Sequence, residues 1–406
     1  MPLIKDTALI GMSHVAAAVS LLGVQVILAR SLPADQFGAL LLAQAFTALI
    51  EGLVVARAGE VAMYTLGHAW LDQNKAAGAA RALQRSEMKW SVLACAAVVF
   101  ASPLLGYVFG VPAYWYAVLA LAIPLQTGFG VSKALFIVSN RVRMQAWFDL
   151  LFCMAIVTVV GLGVWSAGVN GFLAATVLLA GLKTVVAKQV TARWLPAAGP
   201  DVGSDPGAGA VSPASLARNA FSNIANQADV LVMGLFAPKE AVALYKVSRT
   251  LSSIPGRAAG PLWAALRPRL VRHLGAGSLG EVRREVSRSA LLLGGVGIVA
   301  APAAWVLCEP TLALMYGPHY IAASSATLIL AAGNWVLAGL TGWLATVAIM
   351  SVDKRVTVGL YAVLAASICA GALAAGGGLV TTATAVACAM VFTSGLAWAW
   401  LTAVTK

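Results

Sequence analysis

The chain has 406 residues, of which 60% are apolar and 10% are charged. A soluble domain has about 45–50% apolar and about 25% charged residues, so this composition excludes an ordinary soluble domain and a disordered chain. The formal net charge is +12, and the basic residues stand in short segments between apolar runs. That distribution is typical of a multi-pass membrane protein, whereas nucleic-acid binding requires a basic face on a soluble domain. We therefore expect no nucleic-acid partner.

Twelve apolar segments predict transmembrane helices, because each is close to the roughly 20 residues that a helix needs to cross a bilayer. In chain order they are residues 8–29, 38–56, 90–109, 114–138, 147–167, 170–188, 216–236, 241–264, 289–307, 323–350, 357–375 and 379–402. Residues 196–213, between the sixth and seventh segments, are rich in Gly and Pro and predict a flexible cytoplasmic linker. The linker divides the chain into an N-terminal lobe, residues 1–195, and a C-terminal lobe, residues 214–406.

The predicted fold class is an all-α polytopic membrane protein with about 12 transmembrane helices in two six-helix lobes around a central cavity. We expect the lobes to be parallel repeats, since each has an even number of spans. A short echo supports the repeat: Leu32–Leu40 and Ala237–Tyr245 share a Pro, an acid two residues later and a small residue three further on. Because Pro and acids favour helix starts in general, an ordinary turn between two helices is the alternative explanation.

The orientation follows from the basic residues of the connections. Lys and Arg are numerous on one side of the predicted membrane, while the other side has only Arg30 and Lys239, each close to an acid. The positive-inside rule therefore places both termini in the cytoplasm, and we expect a multi-pass protein of the cell inner (plasma) membrane. We also expect anionic membrane lipids to contact the basic side, including the stretch Arg267–Arg288.

Three short motifs resemble those of polysaccharide flippases, the oligosaccharide exporters of the multidrug/oligosaccharidyl-lipid/polysaccharide superfamily. Arg30–Gly38 resembles the family's R-x-L-x-x-x-x-F/Y-G signature after the first helix, and Leu314–Tyr320 resembles its motif after helix 9. Asp229–Phe236 followed by Tyr245 resembles the second-half counterpart, although Ala243 replaces the usual Gly. The resemblance implies a two-lobed transporter, not an enzyme, that moves lipid-linked sugar precursors across the inner membrane.

Helices 7 and 8 carry polar side chains at membrane depth, where such residues are costly unless they face protein or water. On helix 7 they fall within an arc of roughly 140°: Arg218, Asn219, Ser222, Asn223, Asn226 and Asp229. Helix 8 adds Lys246, Arg249 and Arg257, with Pro255 and Gly256 predicted to break the helix between the two arginines. With few acids nearby, these cations favour an anion, and guanidinium groups bind phosphate in a bidentate way.

We therefore predict a cationic substrate-binding cavity. Its candidate residues are Arg249, Arg257, Lys246, Arg218, Asn223 and Asn226. The alternative is that these side chains hold the lobe together through hydrogen bonds between helices, and that Lys246 extends to the membrane surface. Arg218 is also explained by a topology-setting charge at the cytoplasmic boundary.

Glu51 and Asp229 are candidate carboxylates for coupling to H+ or Na+. An ion pair of Glu51 with Arg57 or Lys133 is the alternative. The five cysteines show no metal-binding or redox spacing, so we expect neither a metal site nor a cofactor. Several aromatic residues suit an interfacial belt: Trp115, Tyr116, Trp263, Trp305 and Trp335.

The leading functional hypothesis is a flippase for an undecaprenyl-pyrophosphate-linked oligosaccharide that serves biosynthesis of a polysaccharide such as lipopolysaccharide O-antigen or exopolysaccharide. A polysaccharide polymerase or a chain-length regulator is then an expected partner. A drug/cation antiporter of the same superfamily is the first alternative, but it needs an acidic cavity. A membrane-embedded glycosyltransferase or polymerase is the second, but it needs a sizeable aqueous loop with carboxylate or metal motifs.

Overall fold

The structure, a computed structural model, describes residues 2–69, 73–194, 213–350 and 354–404. Every element in these ranges is a helix: α1 Pro2–Ser31, α2 Ala34–Ala69, α3 Gln73–Phe109, α4 Ala113–Ala120, α5 Ala122–Val138, α6 Val142–Ala192, α7 Pro213–Phe236, α8 Lys239–Ser252, α9 Ile254–Gly275, α10 Leu279–Met315, a short 3-10 helix Pro318–Ala323, α11 Ser324–Met350, α12 Lys354–Ala374 and α13 Leu379–Val404. Within the described ranges, eight helical segments are long and apolar enough to cross a membrane. The predicted linker, except for Pro213, lies outside the described residues.

The predicted all-α polytopic fold with about 12 transmembrane helices is confirmed, and each of the twelve predicted spans is essentially helical. Two of them lie in α6, whose backbone leaves the helical conformation at Ala167 and Gly168. Gly168 has a φ of +57°, which reverses the chain at little steric cost because glycine has no Cβ. A Cβ at Gly163 would lie 2.6 Å from the carbonyl oxygen of Gly171, so the two halves of α6 meet backbone to backbone.

Several elements of the first half have counterparts of similar length and turn geometry in the second half. Helices α3 and α10 both have 37 residues and contain internal prolines. Each ends in a turn that contains a positive-φ glycine, which is Gly110 after α3 and Gly317 after α10. A proline then lies at the start of the next short helix: Pro112 directly before α4, and Pro318 as the first residue of the 3-10 helix. The two sequence echoes stand at equivalent places, at the turns before α2 and before α8. These matches support the interpretation of the echo as part of a repeat.

The chain forms two compact units, Met1–Asn219 and Ala220–Lys406, with the boundary inside α7. In unit 1, α1 and α5 pack on α6, and α2 packs on α3 and α5. In unit 2, α11 packs against α8, α9, α10 and α13. Hydrogen bonds that join α11 to its neighbours include one of 2.8 Å from the Trp263 indole to the Ala338 carbonyl and one of 3.3 Å from the Asn334 amide to the Ser252 hydroxyl.

Trp305 is exposed, as a residue of the predicted aromatic belt must be, whereas Trp115, Tyr116 and Trp263 are buried and do not belong to the belt. These three rings pack between helices. The periodicity of apolar residues in the sequence cannot by itself distinguish a ring at a helix–helix contact from one that faces lipid. Exposed aromatics do bracket the first half of α6, where Trp147 and Trp165 lie about 27 Å apart along the axis. That spacing is close to the thickness of a bilayer's hydrocarbon core, about 30 Å.

Candidate functional site

The polar residues of α7 differ in how deeply they are buried. Asp229 is completely buried, Arg218 and Asn223 are partly buried, and Asn226 is exposed. The first of these is unusual, because a carboxylate is almost never fully buried unless it is paired. The local partners of Asp229 therefore define the site.

Asp229 is held by three groups inside unit 2. Its Oδ2 atom lies 2.8 Å from Nε of Arg249 and accepts a hydrogen bond of 2.8 Å from the Tyr245 hydroxyl. Its Oδ1 atom accepts a hydrogen bond of 2.9 Å from the backbone N–H of Val230. The Arg249 guanidinium also donates through Nη2 to the carbonyl oxygen of Ala225, at 3.2 Å. Arg249 thus joins α8 to α7 at two levels.

Helical geometry explains why α8 supplies two of these partners. Tyr245 and Arg249 are four residues apart, so they share a face of the helix. Arg249 lies about 15 Å along α8 from its first residue, which is near the middle of a membrane core. From the sequence, Arg249 and Asp229 were predicted separately, as a substrate ligand and as a coupling group, and no role at the site was predicted for Tyr245. The i, i+4 spacing of Tyr245 and Arg249 was the signal that could have found it.

Lys246 adds a second positive charge to this cluster. It lies close enough to Asp229 and Arg249 to interact electrostatically with both. Over the described ranges, no carboxylate forms a direct ion pair with it. We call Asp229, Tyr245, Lys246 and Arg249 the α7–α8 cluster. With two cations and one anion, its net formal charge is +1.

Two other predicted ligands, Arg257 and Arg218, are not part of this cluster. The predicted helix break is confirmed: α8 ends at Ser252 and α9 begins at Ile254, with Pro255 and Gly256 in its first turn. Arg257 is exposed on α9, about 12 Å along the chain axis from Arg249. Arg218 donates to the neighbouring Asn219 side chain at 3.0 and 3.2 Å. The structure therefore brings Arg249, Lys246 and Asp229 together, but not Arg257.

Glu51 stands in the middle of α2 and is partly buried. In the part of the chain that the structure describes, it forms no ion pair, and Lys133, one of its two predicted partners, lies near Lys183 instead. The Arg57 side chain, the other predicted partner, lies outside the described residues. Asp229, in contrast, has a described counter-cation, Arg249.

Comparisons with known proteins identify the fold. The Vibrio cholerae MATE transporter VcmN, as its D35N mutant, superimposes with a TM-score of 0.69 at 14% identity, over 98% of this chain and 96% of that one. The lipid II flippase MurJ, in an inward closed conformation, gives a TM-score of 0.71 at 11% identity, over 99% and 88%. An inward-facing multidrug resistance MATE transporter of the MOP superfamily gives 0.68 at 10% identity, over 97% and 98%. No protein-family model and no curated protein matches the sequence.

The chain thus has the fold that these MATE transporters and MurJ have, and it is a multi-pass membrane protein. At 10–14% identity, these likenesses establish the fold alone. The structural neighbours include both multidrug transporters and a lipid flippase, so the choice of substrate depends on the residues of this chain.

Proposed function

We propose that this protein flips an undecaprenyl-pyrophosphate-linked oligosaccharide from the cytoplasmic to the outer leaflet of the inner membrane. The observation that carries the proposal is the net positive charge of the α7–α8 cluster. Its one acid, Asp229, is already occupied by Arg249 and Tyr245. A cationic drug would gain little there, whereas a diphosphate would compensate the second cation, Lys246.

The geometry of Arg249 suits such a ligand. A guanidinium group has five N–H donors in a planar fork. Arg249 places Nε 2.8 Å from Oδ2 of Asp229 and donates through Nη2 to the Ala225 carbonyl, and its side chain retains 14% exposure. The remaining donors are available for bidentate contact with phosphate oxygens, in an orientation that Asp229 fixes in advance. Lys246 contributes a point charge that needs no particular orientation.

We further propose that transport proceeds by alternating access of the two lobes, with Glu51 as the coupling carboxylate. A group that exchanges H+ or Na+ must be free of a permanent counter-cation. Asp229 does not meet that condition because Arg249 occupies it, whereas Glu51 has no such partner among the residues described. Of the two predicted coupling residues, we therefore retain Glu51 in this role and assign Asp229 to positioning of Arg249.

Drug/cation antiport is the second candidate, and Glu51 is the observation that favours it. Glu51, an acid of unit 1 with no ion-pair partner among the described residues, could attract a cationic drug, and two of the structural neighbours are multidrug resistance MATE transporters. In that case the α7–α8 cluster would serve only to hold unit 2 together.

A deletion strain distinguishes the two candidates. We expect lipid-linked oligosaccharide to accumulate on the cytoplasmic leaflet, and a surface polysaccharide assembled by a downstream polymerase or chain-length regulator to be lost. Complementation by the wild-type chain should reverse both effects. If no precursor accumulates and sensitivity to cationic drugs rises, the antiporter is the correct function.

A further inference from the structure

Unit 1 contains an ion pair between the two halves of α6. Nζ of Lys183, in the second half, lies 3.5 Å from Oδ1 of Asp149, in the first half. The side chains of Lys183 and Asp149 are 30% and 21% exposed, so the pair is largely enclosed but open to solvent. Asp229 of unit 2 is likewise paired with a cation of its own unit, Arg249. Each unit therefore has an aspartate that a basic residue of the same unit compensates.

Two aromatic rings lie beside the Lys183 ammonium group. Its Nζ atom is 4.0 Å from the centroid of the Phe129 ring on α5 and 5.9 Å from that of the Phe152 ring on the first half of α6. A cation within about 6 Å of a ring centroid is attracted by the ring quadrupole. Three helical segments thus bring a carboxylate, two rings and a lysine together around one nitrogen atom. We call Asp149, Phe129 and Phe152 the ammonium cage.

The rings of the cage are held by a third ring. Phe148, one turn before Phe152 on α6, stacks on Phe129 with centroids 5.8 Å apart and planes 13° apart. It also packs on Phe152, with centroids 4.7 Å apart, and both Phe148 and Phe152 are buried. Since Phe148 contacts both rings, we expect the cage to keep its shape when the Lys183 side chain is shortened.

The cage has the chemistry of a site for an organic ammonium ion. Proteins bind such ions with aromatic faces, and a carboxylate adds a charge-assisted contact. In this chain the ligand is the Lys183 ammonium group itself. Because that group is covalently tethered beside the cage, its effective concentration there is high, and a free cation competes poorly with it.

Lys133 on α5 adds to this exclusion. It lies close enough to Lys183 to repel it electrostatically. With Lys183 in place, two cations and one carboxylate give the three residues Lys133, Lys183 and Asp149 a net formal charge of +1. A further cation is therefore opposed both by the occupied cage and by repulsion.

We propose that the ammonium cage is a cation site that Lys183 keeps occupied, so that Lys183 excludes organic cations from unit 1 and determines its charge specificity. This role in specificity rests on the proposed function, because a flippase for an anionic lipid must reject the cations that a drug antiporter accepts. The cage itself is a matter of binding, whatever the chain transports. Removal of the tethered ammonium group should leave a site that accepts a free one.

Thermal unfolding of the full-length chain in detergent tests the cage, with n-propylammonium as the probe. This ion replaces the atoms that Lys183→Ala removes, from Cγ to Nζ. In Lys183→Ala we expect a saturable rise of about 2–5 °C in the unfolding midpoint at a concentration about ten times Kd, relative to equal sodium chloride. Adding Asp149→Asn should weaken binding about 10- to 150-fold, through loss of the carboxylate contact.

Controls separate a cation site from a simple cavity. Lys183→Met removes the charge but fills most of the space, so n-propylammonium should not stabilise it. Lys188→Ala removes a lysine of the same half of α6 that has no ion pair within the described ranges, and it should show no rise. 1-Propanol, the uncharged analogue, should not stabilise Lys183→Ala. The wild-type chain should not respond to n-propylammonium, because Lys183 occupies the cage.

Absence of a saturable rise in Lys183→Ala would overturn the proposal, as would an equal response of the wild-type chain or an equal effect of 1-propanol. If Lys183→Ala folds too poorly for purification, cell-free synthesis into nanodiscs with n-propylammonium should raise its folded yield, and no increase over sodium chloride contradicts the cage. Charge-selective stabilisation in a chain that does not flip lipid-linked oligosaccharide supports the cage and contradicts the proposed function. Flipping without such stabilisation has the opposite meaning.

Discussion

Arg249 and Asp229 form a buried ion pair, with 2.8 Å between Nε and Oδ2, that joins α8 to α7 in unit 2. Removing one partner of such a pair leaves an uncompensated charge in a medium of low dielectric constant. The pair therefore links substrate binding, the role proposed for Arg249, to the stability of the unit. Substitutions at the site must separate these two roles.

The first prediction concerns this pair. Arg249→Ala should lower the free energy of unfolding by about 3–5 kcal/mol, because it leaves Asp229 buried without its direct ion-pair partner. Adding Asp229→Asn should recover part of that loss, with a coupling energy of about 0.5–3 kcal/mol. Unfolding in detergent by denaturant measures both values. Arg257→Gln, at an exposed position, is the control and should change stability by less than about 0.5 kcal/mol. Additive effects of the two substitutions would contradict the pairing.

The second prediction concerns Tyr245, whose hydroxyl donates to the same oxygen of Asp229. Tyr245→Phe should lower the free energy of unfolding by about 1.5–3 kcal/mol, the range for a hydrogen bond to a charged group. Tyr107→Phe is the matched control, since Tyr107 is 88% exposed and its hydroxyl is accessible. Equal stability of the two variants would show that the Tyr245 hydroxyl does not stabilise Asp229.

The third prediction concerns the turn inside α6. Gly163→Ala should destabilise the protein by about 1–3 kcal/mol, because the added methyl group would meet the backbone of Gly171. Gly294→Ala on α10 is the control: its Cβ would meet nothing within 4 Å, so the higher helix propensity of alanine should leave stability unchanged or slightly raised. Thermal unfolding of both variants in detergent measures the difference. A neutral Gly163→Ala would contradict the close approach of the two halves.

The fourth prediction concerns topology. Single cysteines are introduced into a cysteine-free background and tested with a membrane-impermeant maleimide. Cysteines that replace Asp35, Lys239 and His319 should react from outside the cell. Cysteines that replace Gln73, Ser204 and Asp353 should react only after the membrane is permeabilised. Position His319 is chosen rather than Tyr316, three residues earlier in the same motif, because Tyr316 is only 2% exposed and a cysteine there would react poorly from either side. Labelling of Lys239 from the cytoplasm would contradict the predicted orientation, since it fixes the register of the second half.

Much of the fold could be predicted from the sequence because span length and apolar composition are local properties. The twelve spans and the helix break before Arg257 depend on such signals, and both agree with the structure. The partners of the polar residues could not be predicted, because pairing depends on which helix faces meet. Nothing local to Asp229 indicates that Arg249 and Tyr245 share one of its oxygens. Trp115 and Trp263 were assigned to the belt for the same reason: their burial is decided by neighbouring helices.

Lys246 gives the most direct test of the central claim, that a net positive α7–α8 cluster binds an anionic lipid-linked substrate. The measurement is the rate at which a fluorescent undecaprenyl-pyrophosphate oligosaccharide becomes accessible on the opposite leaflet of proteoliposomes. Lys246→Gln should slow this rate about 10- to 150-fold, the effect of one lost charge-assisted phosphate contact. The Lys89→Gln variant, reconstituted in the same amount as the wild type, should flip the lipid-linked oligosaccharide at the wild-type rate. If wild type and Lys246→Gln flip equally fast, or if wild type transports a cationic drug and not the lipid-linked sugar, the claim is wrong.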